Sequence, residues 1–150
     1  MTSGNPESYR TDPTITRDKV RETMIAPLLV ATPSFILIWE NFLAEWADHP
    51  SELPIYLLLA DLARHIATLV KQEEENELRR IFEVVETWHV KGDHYVREAA
   101  TVGLLEDLQN SGLVGEETTT KCVAYLGPVS LRNWHKVERF WLHGELITDD

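Results

Sequence analysis

Hydrophobic residues recur along this chain at the spacing of an α-helix. Between residues 35 and 46 the apolar positions lie three or four residues apart, which places them on one side of a helix. Thr32 followed by Pro33 is a typical helix start, and Asp93 and Ser130 are the predicted N-caps of later helices. Together, these patterns predict helices over residues 17–30, 33–48, 54–71, 93–110, 116–125 and 131–143, with a further helix from the acidic run 73–77 to about residue 90.

The same pattern argues against β-structure. No segment shows convincing strand alternation, and no Asn-Gly or Asp-Gly hairpin turn occurs. The sequence therefore predicts an all-α fold of about six or seven helices, joined by short links that favour antiparallel hairpins. A short HEAT-like stack and a compact orthogonal bundle both fit. We expect a disordered tail over residues 1–14, a single helical domain over residues 15–145, and a frayed tail over residues 146–150.

The helix predicted over residues 54–71 is apolar around most of its circumference. Its polar residues Asp61, Arg64, His65, Thr68 and Lys71 fall within about a third of that circumference, at roughly 100° per residue. A helix with one narrow polar stripe is largely buried elsewhere. We expect the stripe either to line a wet groove or to pair internally, and we take Asp61, Arg64 and His65 as candidate binding residues.

Two histidine–carboxylate pairs are candidates for chemistry. Asp61 and His65 lie one helical turn apart, so Asp61 could orient the His65 imidazole in an acid–base pair, although no nucleophile can be assigned. Glu86 and His89 have the Glu-x-x-His spacing of di-iron sites, which need a second such motif and two further glutamates. We find one motif in this order, so we expect no metal and no cofactor. We interpret His89 as half-buried near a helix C-terminus, where the helix dipole favours its proton.

Tryptophan and cysteine add two smaller predictions. Most of the five tryptophans lie on apolar helix stripes, which indicates core positions. Trp134 and Trp141 belong to the least purely amphipathic helix, so they are the candidates for exposure and for partner binding. The single cysteine, Cys122, cannot form an intramolecular disulfide. We interpret it as a small buried hydrophobe, although the neighbouring Lys121 could lower the pKa of its thiol.

The charge balance bears on possible partners. The formal net charge is −11 and the pI is about 4.9, which disfavours nucleic acid and suits a basic protein partner. The longest apolar stretch, residues 55–60, is too short to cross a membrane. Residues 1–13 lack the apolar core of a signal peptide. We therefore expect a cytoplasmic protein, either monomer or homodimer, with no membrane association.

Parts of the sequence resemble known helical proteins. The stretch 92–100, Gly-Asp-His-Tyr-Val-Arg-Glu-Ala-Ala, followed by Leu104, Leu105 and Leu108, resembles the second helix of a HEAT-like repeat. A longer pattern is similar to an uncharacterised bacterial family of small helical proteins, which in turn resemble the immunity proteins encoded beside contact toxins. The segments that show this pattern are 33–35, 56–63, 81–88, 92–93, 102–108 and 126–128. The resemblance implies a cytosolic, partner-binding role and no catalytic residue.

Three functional hypotheses follow from the sequence. The first is an acidic protein-binding module, in particular an immunity-type inhibitor that covers a basic surface on a toxin or nuclease. The second is a metal-dependent or acid–base enzyme built on Asp61 and His65 or on Glu86 and His89. The third is a structural domain that self-associates through exposed aromatic side chains.

Overall fold

The computed structural model describes residues 20–49 and 53–149, which form eight helices and no strand. The prediction of an all-α fold is confirmed, and the helices form a compact bundle. The helices are α1 (Arg21–Ala31), α2 (Pro33–Glu45), α3 (Ile55–Lys71), α4 (Glu75–Lys91), α5 (His94–Glu98, then Ala99–Leu105 in π-helical form, then Glu106–Leu108), α6 (Ser111–Val114), α7 (Glu116–Cys122, then a 3₁₀ turn Val123–Tyr125) and α8 (Pro128–His143).

Helix α3 lies at the centre of the bundle, in contact with α2, α4, α5, α6 and α7. Its buried residues lie outside the predicted polar stripe. The hydrophobic periodicity of the sequence therefore predicts correctly which side of this helix faces the core. Helix α5 approaches α3 closely because it carries small residues. A Cβ added at Gly103 would lie 2.8 Å from Cδ1 of Leu59. The small side chains of α5 therefore set the spacing of the two central helices.

The chain turns sharply between α1 and α2, which are bent by 117° relative to each other. Pro27 does not end α1, and it lies where the π-helical segment Arg21–Ile25 passes into the α-helical segment Ala26–Ala31. Thr32 leaves the helical conformation at the bend, with φ −137° and ψ 80°, and Pro33 opens α2 as the sequence predicts. The bend brings Thr32 and Ser34 against α3 and α4.

Several helix ends follow local sequence signals. The Asp93 side chain accepts a hydrogen bond of 2.9 Å from the Val96 N–H, so the predicted cap is confirmed. Gly144 ends α8 in the left-handed conformation, at φ 68°. Asn110 caps the short helix α6 by accepting from the Gly112 N–H at 3.1 Å, where the sequence predicts only a chain break.

Glu73 occupies an unusual position at the end of α3. It has φ 57° and is the one non-glycine residue with positive φ in the described part of the chain. Its N–H donates to the Val70 carbonyl at 3.1 Å, and the Glu74 N–H donates to the Leu69 carbonyl at 3.0 Å. These two bonds form a Schellman motif, in which glycine is the usual residue at the position of Glu73.

The segment after α8 runs back over the bundle. Residues 144–149 have no regular secondary structure, Ile147 packs against the core, and Asp149 contacts α5. Of the described helices, no single one is both long and apolar enough to cross a membrane. The bent pair of α1 and α2 meets those criteria only when its two parts are taken together.

Candidate functional site

The polar stripe of α3 lines an open groove between α2 and α3. The groove has a volume of about 340 Å³, and its walls include the predicted residues Asp61, Arg64 and His65. Ile38 and Phe42 of α2 contribute apolar surface on the other side. Asp61 forms an ion pair of 3.0 Å with Arg64, and both side chains are about half exposed. The sequence left a wet groove and internal pairing as alternatives, and the structure contains both.

His65 does not form the predicted acid–base pair with Asp61. Its Nε2 atom lies 3.0 Å from the Thr32 hydroxyl and 3.0 Å from the Ser34 hydroxyl. Both hydroxyls donate to the same carboxylate oxygen of Glu77, Ser34 at 2.7 Å. Because both hydroxyl protons are directed at Glu77, the Nε2 atom of His65 must supply a proton of its own to the hydroxyl oxygens. His65 is therefore a donor here, not a base that could activate Ser34.

The surroundings of His65 and Glu77 shift the pKa values of both side chains. Partial burial lowers the pKa of His65, and the charge of Glu77 opposes that change. Burial raises the pKa of Glu77, but the hydrogen bonds from Thr32 and Ser34 outweigh it and the net pKa is lowered. Arg80 completes the junction by donating to the Ala31 carbonyl at 3.0 Å. These contacts fasten the bend between α1 and α2 to α3 and α4, which is a structural role.

Beside the stripe, α5 presents a group of carboxylates. The Tyr56 hydroxyl of α3 donates to Glu98 at 3.4 Å, and burial followed by the charge of Glu98 raises the pKa of Tyr56 to about 12. Burial, then the charge of Glu106, raises the pKa of Asp107 to about 6, and Arg64 opposes that change. Burial also raises the pKa of Glu106. The surroundings of Glu106 and Asp107 therefore disfavour the charged form of both side chains.

We define the α3 face as the surface made by the exposed stripe of α3 and the neighbouring acids of α5. Its members are Tyr56, Asp61, Arg64, Glu98, Glu106 and Asp107. Four carboxyl groups stand against one guanidinium, which makes this surface acidic. Sequence reasoning found Asp61 and Arg64 on α3 but missed the α5 part of the face, because the acids of α5 lie more than 30 residues further along the chain than Asp61 and Arg64.

Glu86 and His89 have a structural explanation. Glu86 accepts from the backbone N–H groups of Val129 at 3.0 Å and Ser130 at 2.9 Å, so it caps the first turn of α8 from a different helix. Burial raises the pKa of Glu86, but these bonds outweigh it and lower the pKa. A Cβ added at Gly127 would lie 2.5 Å from Cδ of Glu86, so a glycine is needed for the approach. The prediction that Ser130 caps α8 is therefore wrong.

His89 is fully buried rather than half-buried. Its Nδ1 atom lies 2.8 Å from the Ser130 hydroxyl and its Nε2 atom 2.9 Å from the Thr101 hydroxyl. Burial lowers the pKa of His89 to about 4, which outweighs the charge of Glu86 and reverses the protonation expected from the helix dipole. The Glu-x-x-His pair thus ties α4 to α5 and α8.

Metal and thiol chemistry find no support in the part of the chain that the structure describes. Among residues 20–49 and 53–149, no three His, Cys, Asp or Glu side chains are placed to hold a metal ion together. Cys122 is buried, as the sequence predicts, and burial raises the pKa of its thiol to about 12. The neighbouring Lys121 does not lower the pKa of this thiol, because Lys121 pairs with Glu117 at 3.1 Å.

The two candidate tryptophans have different surroundings. Trp134 is 2% exposed and Trp141 is 54% exposed. Trp134 packs into the core, and its carbonyl accepts from Gln109 at 2.9 Å, so the prediction that Trp134 is exposed is wrong. Trp141 lies on the exposed side of α8 with its ring against Phe140. Neither tryptophan lines the groove beside α3.

Comparison with known proteins identifies the family. The chain belongs to the family described as a domain of unknown function, DUF7674, whose pattern matches residues 25–142. The match includes the whole α3 face and excludes residues 144–149. Neither a curated protein nor a solved structure matches the chain.

Proposed function

We propose that this chain is a protein-binding module whose α3 face contacts a basic surface on another protein. The observation that supports this most strongly is the group of Glu98, Glu106 and Asp107 beside Tyr56 on two rigid central helices. The charge of Glu106 disfavours the charged form of Asp107 beside it, and a cationic partner would relieve that repulsion. Tyr56 and Tyr95 are each more than one-third exposed and offer aromatic surface for lysine or arginine side chains.

The raised pKa values of Glu106 and Asp107 agree with this proposal. A carboxyl group whose pKa is raised by burial is held in its charged form at a cost in free energy. Docking a lysine or arginine would lower those pKa values, so part of the binding energy would come from removing an existing cost. The partner should therefore bind more tightly above pH 6 than below it.

The more specific form of the proposal is an immunity-type inhibitor that acts in the bacterial cytoplasm. It would bind a toxin or nuclease through its basic substrate-binding surface and block access to that surface. Support comes from the net charge of −11 and from the sequence resemblance described above. Because nucleases bind phosphates through lysine and arginine, their active surfaces match an acidic inhibitor.

The test is affinity capture of partners from a lysate of the source cell, with three versions of the full chain. The first is wild type, and the second carries Glu98→Gln, Glu106→Gln and Asp107→Asn. The control carries Glu74→Gln, Glu83→Gln and Glu116→Gln, which removes the same charge from exposed sites elsewhere. We expect a basic protein that wild type and control capture at low salt, and that the second variant fails to capture. Equal capture by all three versions would contradict the proposal.

Self-association is the second candidate function, and one observation favours it. Trp141 is 54% exposed and the adjacent Leu142 is 75% exposed, so α8 ends in an apolar surface. Solution mass measured by light scattering decides this case. A dimer that Trp141→Ser and Leu142→Ser convert to a monomer would support it, and a monomeric wild type would remove it.

A further inference from the structure

The segment after α8 is held over the bundle at a few points. Among residues 145–149, Ile147 is the residue that packs against the core. Lys136 of α8 donates to the Thr148 carbonyl at 3.0 Å, while Leu146 is 87% exposed. Such a segment belongs to the low-stability end of a structure and can open without unfolding the rest. We call residues 145–149 the strap.

The main contact of the strap is made by one carboxylate. Asp149 accepts from Nε of Arg97 at 2.9 Å and from Nη2 of Arg97 at 2.6 Å, which is the bidentate geometry of arginine–carboxylate recognition. The same carboxylate lies 2.8 Å from Nδ1 of His94. These contacts lower the pKa of Asp149, with the Arg97 bond as the largest cause. Three nitrogens on one helix thus converge on a single carboxylate.

The receiving side chain is positioned independently of the strap. Nη1 of Arg97 donates to the Gly92 carbonyl at 2.7 Å, which fixes the guanidinium at the start of α5. This bond uses Nη1, whereas Asp149 accepts from Nε and Nη2, so the two contacts do not compete for the same donor. The site is therefore preorganised for a carboxylate, and preorganisation lowers the free-energy cost of binding.

The surroundings of Arg97 form a groove that the strap fills incompletely. A cavity of about 120 Å³ lies between the strap and the residues Thr101, Val102 and Asn133 of α5 and α8. Ile147 and Asp149 are two residues apart, so in an extended segment both side chains point toward the same surface. The groove thus receives an aliphatic side chain and a carboxylate at that spacing. Its lining combines the Arg97 guanidinium and the His94 imidazole with the Glu98 carboxylate, which also belongs to the α3 face.

We propose that this groove is a second binding site, for an extended acidic peptide with an aliphatic residue two positions before a carboxylate, and that the strap occupies it in cis. The occupant in trans would be a segment of a partner protein with that chemistry. A tethered segment competes at a high effective concentration, so a free peptide must be tested against a chain whose own strap is weakened. The proposal does not depend on the function assigned to the α3 face.

The experiment uses the full chain with Ile147→Ser and Asp149→Asn, and an acetylated peptide with the sequence of residues 145–150. Binding is followed by amide NMR shifts. We expect shifts confined to residues 94–102 and 133–136 in this weakened chain, and at least tenfold weaker binding to wild type. Adding Arg97→Gln to the weakened chain should weaken binding by about tenfold. Adding Arg79→Gln, an exposed arginine on α4, should leave binding unchanged.

Two results would overturn the proposal. One is the absence of shifts in the weakened chain at millimolar peptide, which would make the strap a purely structural tail. The other is equal binding with and without Arg97→Gln, or equal binding of a peptide with asparagine in place of Asp149, since the carboxylate contact would then be irrelevant. Unchanged circular dichroism verifies that each variant is folded. A change in solution mass of the weakened chain would assign the groove to a second copy of the chain and also contradict the proposed partner.

Discussion

Replacing His89 with glutamine should remove much of the acid sensitivity of this fold. The pKa of His89 is about 4 in the folded chain, against 6.5 for an unperturbed histidine. Because the folded pKa is the lower one, the unfolded chain takes up a proton that the folded chain resists. The free energy of unfolding therefore falls as the pH drops below 6.5 and levels off below the folded pKa. Integrating this uptake gives a loss of about 2 kcal/mol at pH 5 and about 3 kcal/mol at pH 4.

The assay is urea unfolding of wild type and His89→Gln at pH 7, 5 and 4. Glutamine can donate to one neighbour and accept from the other, so it can replace the bonds to Ser130 and Thr101 but does not titrate. Other ionisable groups are shared by the two proteins, so the difference between their pH profiles isolates His89. We expect the wild-type loss between pH 7 and pH 4 to exceed that of the variant by about 3 kcal/mol. Parallel profiles would refute the assignment of a buried, neutral imidazole.

Three further predictions follow from local geometry. Glu73→Gly should raise the free energy of unfolding by about 1 kcal/mol, because glycine adopts the left-handed conformation at this position without strain. Glu73→Gln should not raise it, and thermal unfolding of the two variants distinguishes these outcomes. Gly127→Ala should lower the free energy of unfolding by about 2 kcal/mol by displacing Glu86, and its effect should be much smaller in the Glu86→Ala background. Equal effects in the two backgrounds would exclude an energetic coupling between Gly127 and Glu86. Cys122 should not react with a thiol reagent at pH 8 until the chain is unfolded, and rapid labelling of native protein would contradict its burial.

The helices were largely predictable because their signals are local. The apolar spacing and the Asp93 cap each act within a few residues, and both appear in the structure as predicted. The contacts that give Glu86 and His65 their structural roles join distant parts of the chain. Glu86 caps α8 across 43 and 44 residues, and His65 contacts Thr32 across 33 residues. No pattern along a single sequence reports such pairings.

Trp134 and Trp141 show the same limit in a different way. They are seven residues apart on one helix, so they share a face and periodicity treats them alike. Their exposures differ because the middle of α8 packs against α4 and α5 while its C-terminal end carries exposed side chains. The same limit applies to the candidate site. The polar stripe of α3 was evident from helical periodicity, whereas the acids of α5 join it only through tertiary packing.

The central claim is that the α3 face is the contact surface for a basic partner. The most direct measurement is carbodiimide cross-linking of the captured complex, which joins carboxylates to lysines that touch them, followed by peptide mapping. We predict links from Glu98, Glu106 or Asp107 to partner lysines, lost when these residues are neutralised. Links confined to the acidic run 73–77 or to Glu116 and Glu117 would place the partner elsewhere and contradict the account.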